Sequence, residues 1–264
     1  MAADEPSGDG GAGGTGAAFF DLDKTLMQGS SGLQFARAAH RTGLISRRRL
    51  LAASWANLRF RLRGASDEDS IALRERIAAG LTGRRVLDLQ RLGPDVLSGV
   101  LPRLYPRMLM VAHEHQDAGR RAYITTAASQ ELAEILAQVL SFDGAIGSEL
   151  SEAVDGVYTG RLTGLFAYRE GKAEAIRALA AHEGLSLADS YAYSDSVSDL
   201  PMLEAVGHPV VVNPDRQLAQ IARERGWEVM RLDRIGRRLK AGVALGGAAA
   251  AGAAATVALA GRRG

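Results

Sequence analysis

The chain has no cysteine. That excludes disulfides, thiolate metal sites and a cysteine nucleophile. Lysine is almost missing as well. Lys24, Lys172 and Lys240 are the only lysines among 32 basic residues, the rest being arginine. In a chain this rich in Arg, Ala and Gly, a retained lysine marks a candidate need for a compact ammonium rather than a planar guanidinium. Excess charge of one sign is lacking too, since the formal charge is +2. No basic stretch is interleaved with aromatics, so no nucleic-acid partner is expected. Arg47-Arg48-Arg49 reads as a solvated helix start. The N-terminus is acidic and Gly-rich, with no basic region ahead of an apolar run. It carries no secretory signal, and a cytoplasmic location is the default.

What is present is an ordered series of elements. Length allows one large domain or a core with an inserted module. Residues 1–16 are Gly, Ala, Ser and acids, and read as a disordered tail. A short strand is expected at about 17–21, and residues 28–107 then read as helical. Leu33, Phe35, Ala36 and Ala39, then Leu50, Leu51, Trp55, Leu58, Phe60 and Leu62, recur at helical spacing. Gly43, Gly64, Gly80, Gly83, Gly93 and Pro94 divide this stretch into several helices, and Ser66-Asp67-Glu68-Asp69 looks like a helix start. From about residue 103 the pattern alternates. It predicts a helix to about 118, a strand over 121–126 and a helix from Ser129 to Leu140. A turn or hairpin pair follows over 155–164, then a helix from about Gly171, and strands over 190–194 and 209–212. Strand–helix alternation of this kind predicts a parallel α/β sheet covered by helices, with ligands at the carboxyl ends of strands.

Polar residues stand at three such ends. Asp21-Leu22-Asp23-Lys24-Thr25-Leu26 follows the apolar run Ala17–Phe20 directly. Two carboxylates one residue apart repel each other unless a cation sits between them, and one of them could then serve as a nucleophile. The second end is Thr125-Thr126 before Ala127-Ala128, where a strand meets a helix N-terminus and backbone amides can receive an anion. The third is Asp195-x-x-x-Asp199. Lys172 opens a helix between the second and third. His113-Glu114-His115 could suggest a metal, but residues two apart on a helix do not share a face. Asn213-Pro214-Asp215 reads as a helix cap.

These four pieces, in this order and with a helical segment between the first two, resemble the haloacid dehalogenase superfamily of phosphohydrolases. The phosphoserine-phosphatase-like branch is the nearest likeness, over about residues 17–232. The resemblance implies a Rossmann-like three-layer parallel sheet core at 17–27 and 108–236, with an inserted all-helical cap at 28–107 that could act as a lid. It implies a phosphomonoesterase acting on a small phosphorylated metabolite. Asp21 would be the nucleophile that forms an aspartyl-phosphate, and Asp23 the general acid and base. Thr126 would bind a phosphoryl oxygen, with Thr125 as the register alternative. Lys172 would neutralise phosphate charge and hold Asp21. Asp21, the Asp23 carbonyl, Asp195 and Asp199 would hold one Mg²⁺, with Asp199 direct or through water.

The chain departs from that pattern in places. The branch usually has Gly before the first acid of its last motif, and here it is Ser194. It usually carries Glu nine residues past the nucleophile to read the substrate ammonium, and here that position is Ser30. The change speaks against L-phosphoserine. Arg74, Arg76 and Arg84 are candidates for a substrate carboxylate or second phosphate, with no choice among them. Residues 241–261 carry no charge and have the length to span a bilayer, but their Ala and Gly drive insertion weakly. Residues 237–264 therefore read either as a tail holding a cytoplasmic catalytic domain to the membrane or as a low-complexity tail. Two other functions stay open: phosphotransfer to another acceptor, and non-catalytic binding of a phospholigand at the membrane.

Overall fold

The computed structural model describes residues 15–48, 51, 67–149 and 151–232. The expected N-terminal tail up to residue 14, the helical spacing from Leu50 to Leu62 apart from Leu51, and the uncharged segment 241–261 lie outside the described residues. Among the described residues, no helix is long and apolar enough to cross a membrane.

Strand β1 (Ala17–Asp21) is buried at all five positions. It lies inside a six-stranded sheet, with two strands on one side of it and three on the other. A strand covered on both faces wants a continuous apolar run, and Ala-Ala-Phe-Phe provides one. Strand β2 (Arg121–Ser129) pairs with it in parallel, with Phe20 beside Ile124 and Asp21 beside Thr125. On the other side β6 (Tyr191–Ser194) pairs in parallel, with Phe20 beside Tyr193. Strands β3 (Gly144–Ser148) and β7 (His208–Val212) extend the sheet in parallel, and β8 (Glu228–Met230) is its last strand.

Successive side chains of β1 point to opposite faces. Phe19 packs in a cluster with Tyr123, Ile176, Met202, Leu203 and Leu218. Tyr123 comes from β2, and the others come from α7 (Glu170–Glu183), α8 (Leu200–Glu204) and α9 (Arg216–Arg225). Phe20 instead stacks on Tyr193 at 4.5 Å and meets Phe142 and His115 edge-on. His115 belongs to α5 (Pro106–Asp117). The sheet is thus sandwiched between helices, the three-layer α/β architecture expected.

Between β1 and β2 the chain makes its helical excursion. It leaves at Met27, which forms an isolated antiparallel bridge with Leu104 on the returning segment. The Gln28 amide donates to the Arg103 carbonyl at 2.7 Å and the Tyr105 amide to the Leu26 carbonyl at 2.8 Å. The excursion includes α1 (Ser31–Arg41), α2 (Asp67–Leu81), α3 (Val86–Gln90), α4 (Gly93–Val100) and a 3₁₀ turn at Leu101–Arg103. Helix α2 begins within the acidic run Asp67-Glu68-Asp69, and Gly93-Pro94 opens α4. Gly99 lets α1 and α4 approach closely, because a Cβ there would lie 2.8 Å from Gln34 Oε1.

Several boundaries differ from expectation. The helix expected from about 103 starts at Pro106, because Pro102 and the 3₁₀ turn come first. Strand β2 runs on to Ser129, which caps α6 (Gln130–Val139) by accepting from the Leu132 amide. The turn after Asp195 is a 3₁₀ turn at Val197–Asp199, and α8 starts at Leu200. The hairpin β4 (Ala153–Val154) and β5 (Val157–Tyr158) is shorter than the segment read for it. It also pairs outward: the Gly83 amide reaches the Tyr158 carbonyl and the Val86 amide the Gly156 carbonyl, both at 2.9 Å. The region between α2 and α3 is therefore tied to this hairpin by backbone hydrogen bonds.

Candidate active site

The carboxyl end of β1 passes into a tight turn. The Leu26 amide donates to the carbonyls of Asp21 and Leu22, and the Met27 amide also donates to Leu22. This winding ends the strand at Asp21 and carries Asp23 and Lys24 onto the turn. Lys24 adopts φ 62, the left-handed region that favours glycine.

Asp21 is buried, and Lys172 Nζ donates to its Oδ1 at 2.5 Å. The same ammonium donates to Asp199 Oδ2 at 2.8 Å. Lys172 stands in the first turn of α7 and is 2% exposed, so the bridge is shut off from water. Burial alone would lower the Lys172 pKa, but Asp199 and Asp21 more than offset it and the ammonium is held above its ordinary value. Burial pushes the Asp21 carboxyl well above the usual carboxylate range; Lys172 opposes this, while Asp199 and Asp195 add to it. Ser194 Oγ also donates to Asp199 Oδ2, at 2.7 Å. Asp199 thus faces Lys172 and Ser194.

Asp195 is buried at the end of β6, and Lys24 Nζ donates to its Oδ2 at 2.9 Å. Burial raises its carboxyl pKa to about 6 against the opposing pull of Lys24. The Asp215 amide donates to the Asp195 carbonyl at 3.0 Å, and Asp215 Oδ2 accepts from the Val197 amide. Asp215 also caps α9, as the sequence pattern predicts, by accepting from the Leu218 amide. One residue therefore ties the loop bearing Asp195 to the start of α9.

Asp23 Oδ1 accepts the Ser31 amide at 2.8 Å, so the first turn of α1 holds this carboxylate. Thr126 is buried, and its hydroxyl accepts from the Ala128 amide at 3.2 Å. Thr125 is fully buried and its hydroxyl meets Met202 Sδ, placing it in the packed core. Of the two registers, Thr126 is the one whose hydroxyl meets backbone, that of the last residues of β2 before Ser129.

The structure thus joins Asp21, Lys172 and Asp199 directly and brings Asp195 to an adjacent strand end. Asp23 and Thr126 lie on the loops after β1 and in β2, with local partners. Sequence reasoning missed the contacts of Lys24, Ser194 and Asp215. The signals were weak: lysine scarcity for Lys24, and the absence of the usual Gly for Ser194. Arg74 is committed elsewhere, since it donates to the carbonyls of Thr163 and Gly164 and lies over the Phe166 ring. Arg84 donates to the Leu44 and Gly80 carbonyls. The Arg76 side chain lies outside what is described. His113 is exposed while His115 is buried against Tyr193, so the pair does not form a site.

The donor set fits a hard divalent cation. Asp21, Asp195 and Asp199 are buried oxygen donors, and both Asp21 and Asp195 are held back from ionising by burial. Among the described residues no three acids or histidines stand together as a finished cage. Two lysine ammoniums, Lys24 and Lys172, meet these carboxylates.

Comparison with known proteins gives the family and the fold. Residues 18–204 match the haloacid dehalogenase-like hydrolase family. Phosphoserine phosphatase SerB1 of Mycobacterium tuberculosis is 40% identical over 248 residues, covering 92% of this chain and 80% of that protein. A solved protein of unknown function from Bordetella pertussis is 32% identical, with TM-score 0.71, covering 83% of this chain and 99% of that one. A phosphoserine phosphatase solved as a phospho-aspartyl intermediate analogue shares the fold at 17% identity and TM-score 0.60, covering 86% of this chain and 98% of that one.

Proposed function

The chain belongs to the haloacid dehalogenase-like hydrolase family and is a phosphatase of it, and we propose that it hydrolyses a small organic phosphomonoester through an aspartyl-phosphate on Asp21. The observation that carries this reading is the buried Lys172 ammonium bridging Asp21 and Asp199 at the end of the central strand. An ammonium there holds the Asp21 carboxylate in one orientation and offsets the charge of an arriving phosphate.

In the first step an Asp21 oxygen attacks phosphorus and the ester P–O bond breaks. Asp23 gives its proton to the leaving oxygen. In the second step Asp23 takes a proton from water, the water oxygen attacks phosphorus, and Asp21 is released. The Ser31 amide keeps Asp23 aimed through both steps. Thr126 binds a phosphoryl oxygen. Asp21, the Asp23 carbonyl and Asp195 would hold Mg²⁺, with Asp199 beside them. When bound, the ion supplies charge that screens phosphate from carboxylate and orients the phosphoryl group.

The name of the Mycobacterium tuberculosis relative supports phosphoserine as a substrate. Ser30 at the position where this branch usually carries Glu speaks against it, because the charge that reads the substrate ammonium is missing. The reading therefore stops at a small organic phosphate. Screening phosphorylated metabolites, L-phosphoserine among them, with Mg²⁺ and with chelator tests it. Mg²⁺-dependent release of inorganic phosphate without an added acceptor is the expected result. Turnover only with an acceptor alcohol would make the protein a transferase, and binding without turnover would make it a phospholigand-binding protein.

A further inference from the structure

Lys24 has an unusual combination of properties. It is one of three lysines in the chain and sits between the two motif acids and Thr25. Its backbone adopts φ 62. A non-glycine residue there is held against a local preference of roughly 1 kcal/mol or more, so something in the folded protein holds it. The Lys24 Nζ donates to Asp195 Oδ2 at 2.9 Å. The pair is asymmetric: the Lys24 side chain is 42% exposed and that of Asp195 is 7% exposed. One end is therefore fixed in the protein, while the other is a flexible stem that water can reach.

Lys172 differs in each respect. It is buried and bound to two carboxylates, and it starts a helix. Moving it would strip two buried acids of their counter-ion, which is strongly destabilising. Moving Lys24 exposes only Asp195, and its ammonium can go straight into water. Of the two cations at the site, Lys24 is the one that can leave.

We propose that Lys24 is a displaceable counter-ion: its ammonium neutralises Asp195 while no divalent cation is bound and is displaced from that carboxylate when one binds. The inference rests on the reading that Asp195 is a cation ligand. Lys24 stabilises the unloaded site, where a bare buried carboxylate is costly. It also weakens cation affinity, because binding must break the ion pair and bring a dication near an ammonium. A Gly at this position would avoid the backbone strain but could do neither.

The test uses the full chain with Mn²⁺ as the probe, its free concentration read by electron paramagnetic resonance. Lys24→Met keeps the stem and removes the charge. It should bind Mn²⁺ about three- to tenfold more tightly than the wild type, the scale of a partly exposed ion pair. In chelator its Tm should fall by roughly 2–4 °C, and saturating Mg²⁺ should close that gap. Lys24→Arg, which retains the charge, should bind Mn²⁺ within about twofold of the wild type. Equal or weaker Mn²⁺ binding by a folded Lys24→Met protein would overturn the proposal. Asp195→Asn separates the two ideas. If it loses Mn²⁺ while Lys24→Met binds like the wild type, Asp195 is a ligand and only the counter-ion role fails. If it binds like the wild type, the assignment of Asp195 fails and the counter-ion role fails with it.

Discussion

Lys172 concentrates the electrostatics of the site in one side chain. Its ammonium is shut off from water and faces two carboxylates, Asp21 at the end of β1 and Asp199 in the 3₁₀ turn that follows β6. Lys172→Met would keep the volume and leave both acids buried without a cation. The expected loss is on the order of 3–5 kcal/mol of stability at pH 7, together with loss of turnover. Urea unfolding checks it. The deficit should shrink as pH falls, because protonated carboxyls no longer need a counter-ion; a deficit independent of pH would contradict that cause. That Asp21 and Lys172 belong to one buried charged cluster was legible because charged residues following or opening apolar segments have few structural reasons to be there. The Ser194 contact was not legible. A serine at a strand end is unremarkable until its hydroxyl is seen 2.7 Å from Asp199, a partner five residues on.

At the scale of elements, the site depends on how α7 starts. Gly171 precedes Lys172, and a Cβ there would lie 2.0 Å from the Phe166 carbonyl oxygen. The helix start is thus pressed against the loop that Arg74 grips from α2. Gly171→Ala should push α7 off this loop and shift Lys172. It is expected to cost roughly 1–3 kcal/mol and to lower kcat more than it raises KM. Thermal unfolding and steady-state kinetics check both, and wild-type values would show that the contact yields at no cost. Elements with strong periodicity or clear punctuation were readable from sequence: β1 from its apolar run, α4 from Gly93-Pro94, α9 from its Asp215 cap. Strand β3 was not, because Gly144-Ala145-Ile146-Gly147-Ser148 has one β-branched residue and two glycines. Its place is set by tertiary contact: Tyr123 packs at Gly144, and the Gln130 side chain bonds the Gly147 amide and the Ala145 carbonyl. The bond between Asp23 and the first turn of α1 was equally invisible, since it depends on where the excursion folds back.

At the scale of the whole molecule, one buried histidine links the outer layer to the sheet. His115 Nδ1 accepts from Arg120 Nε at 2.8 Å, so in the neutral ring the proton is on Nε2, which donates to the Tyr193 hydroxyl at 2.7 Å. Burial, and then the Arg120 charge, lower its pKa to about 4. The unfolded chain takes up a proton near pH 6.5, but the folded chain does so only near pH 4. The folded state is therefore increasingly disfavoured as pH falls through this window, by on the order of 3 kcal/mol in full. Above pH 6.5 both states are neutral at this site and the effect vanishes. Wild-type stability should fall more steeply between pH 6.5 and 4 than that of His115→Gln; parallel curves would contradict the assignment. The central claim is chemical, and it concerns Asp21. The most direct measurement is to quench the enzyme with acid during turnover in Mg²⁺, digest it and locate phosphate by mass spectrometry. The account predicts phosphate on the peptide containing Asp21, with neither phosphate nor turnover in Asp21→Asn. Rapid turnover by Asp21→Asn, or phosphate captured on another residue, would contradict it.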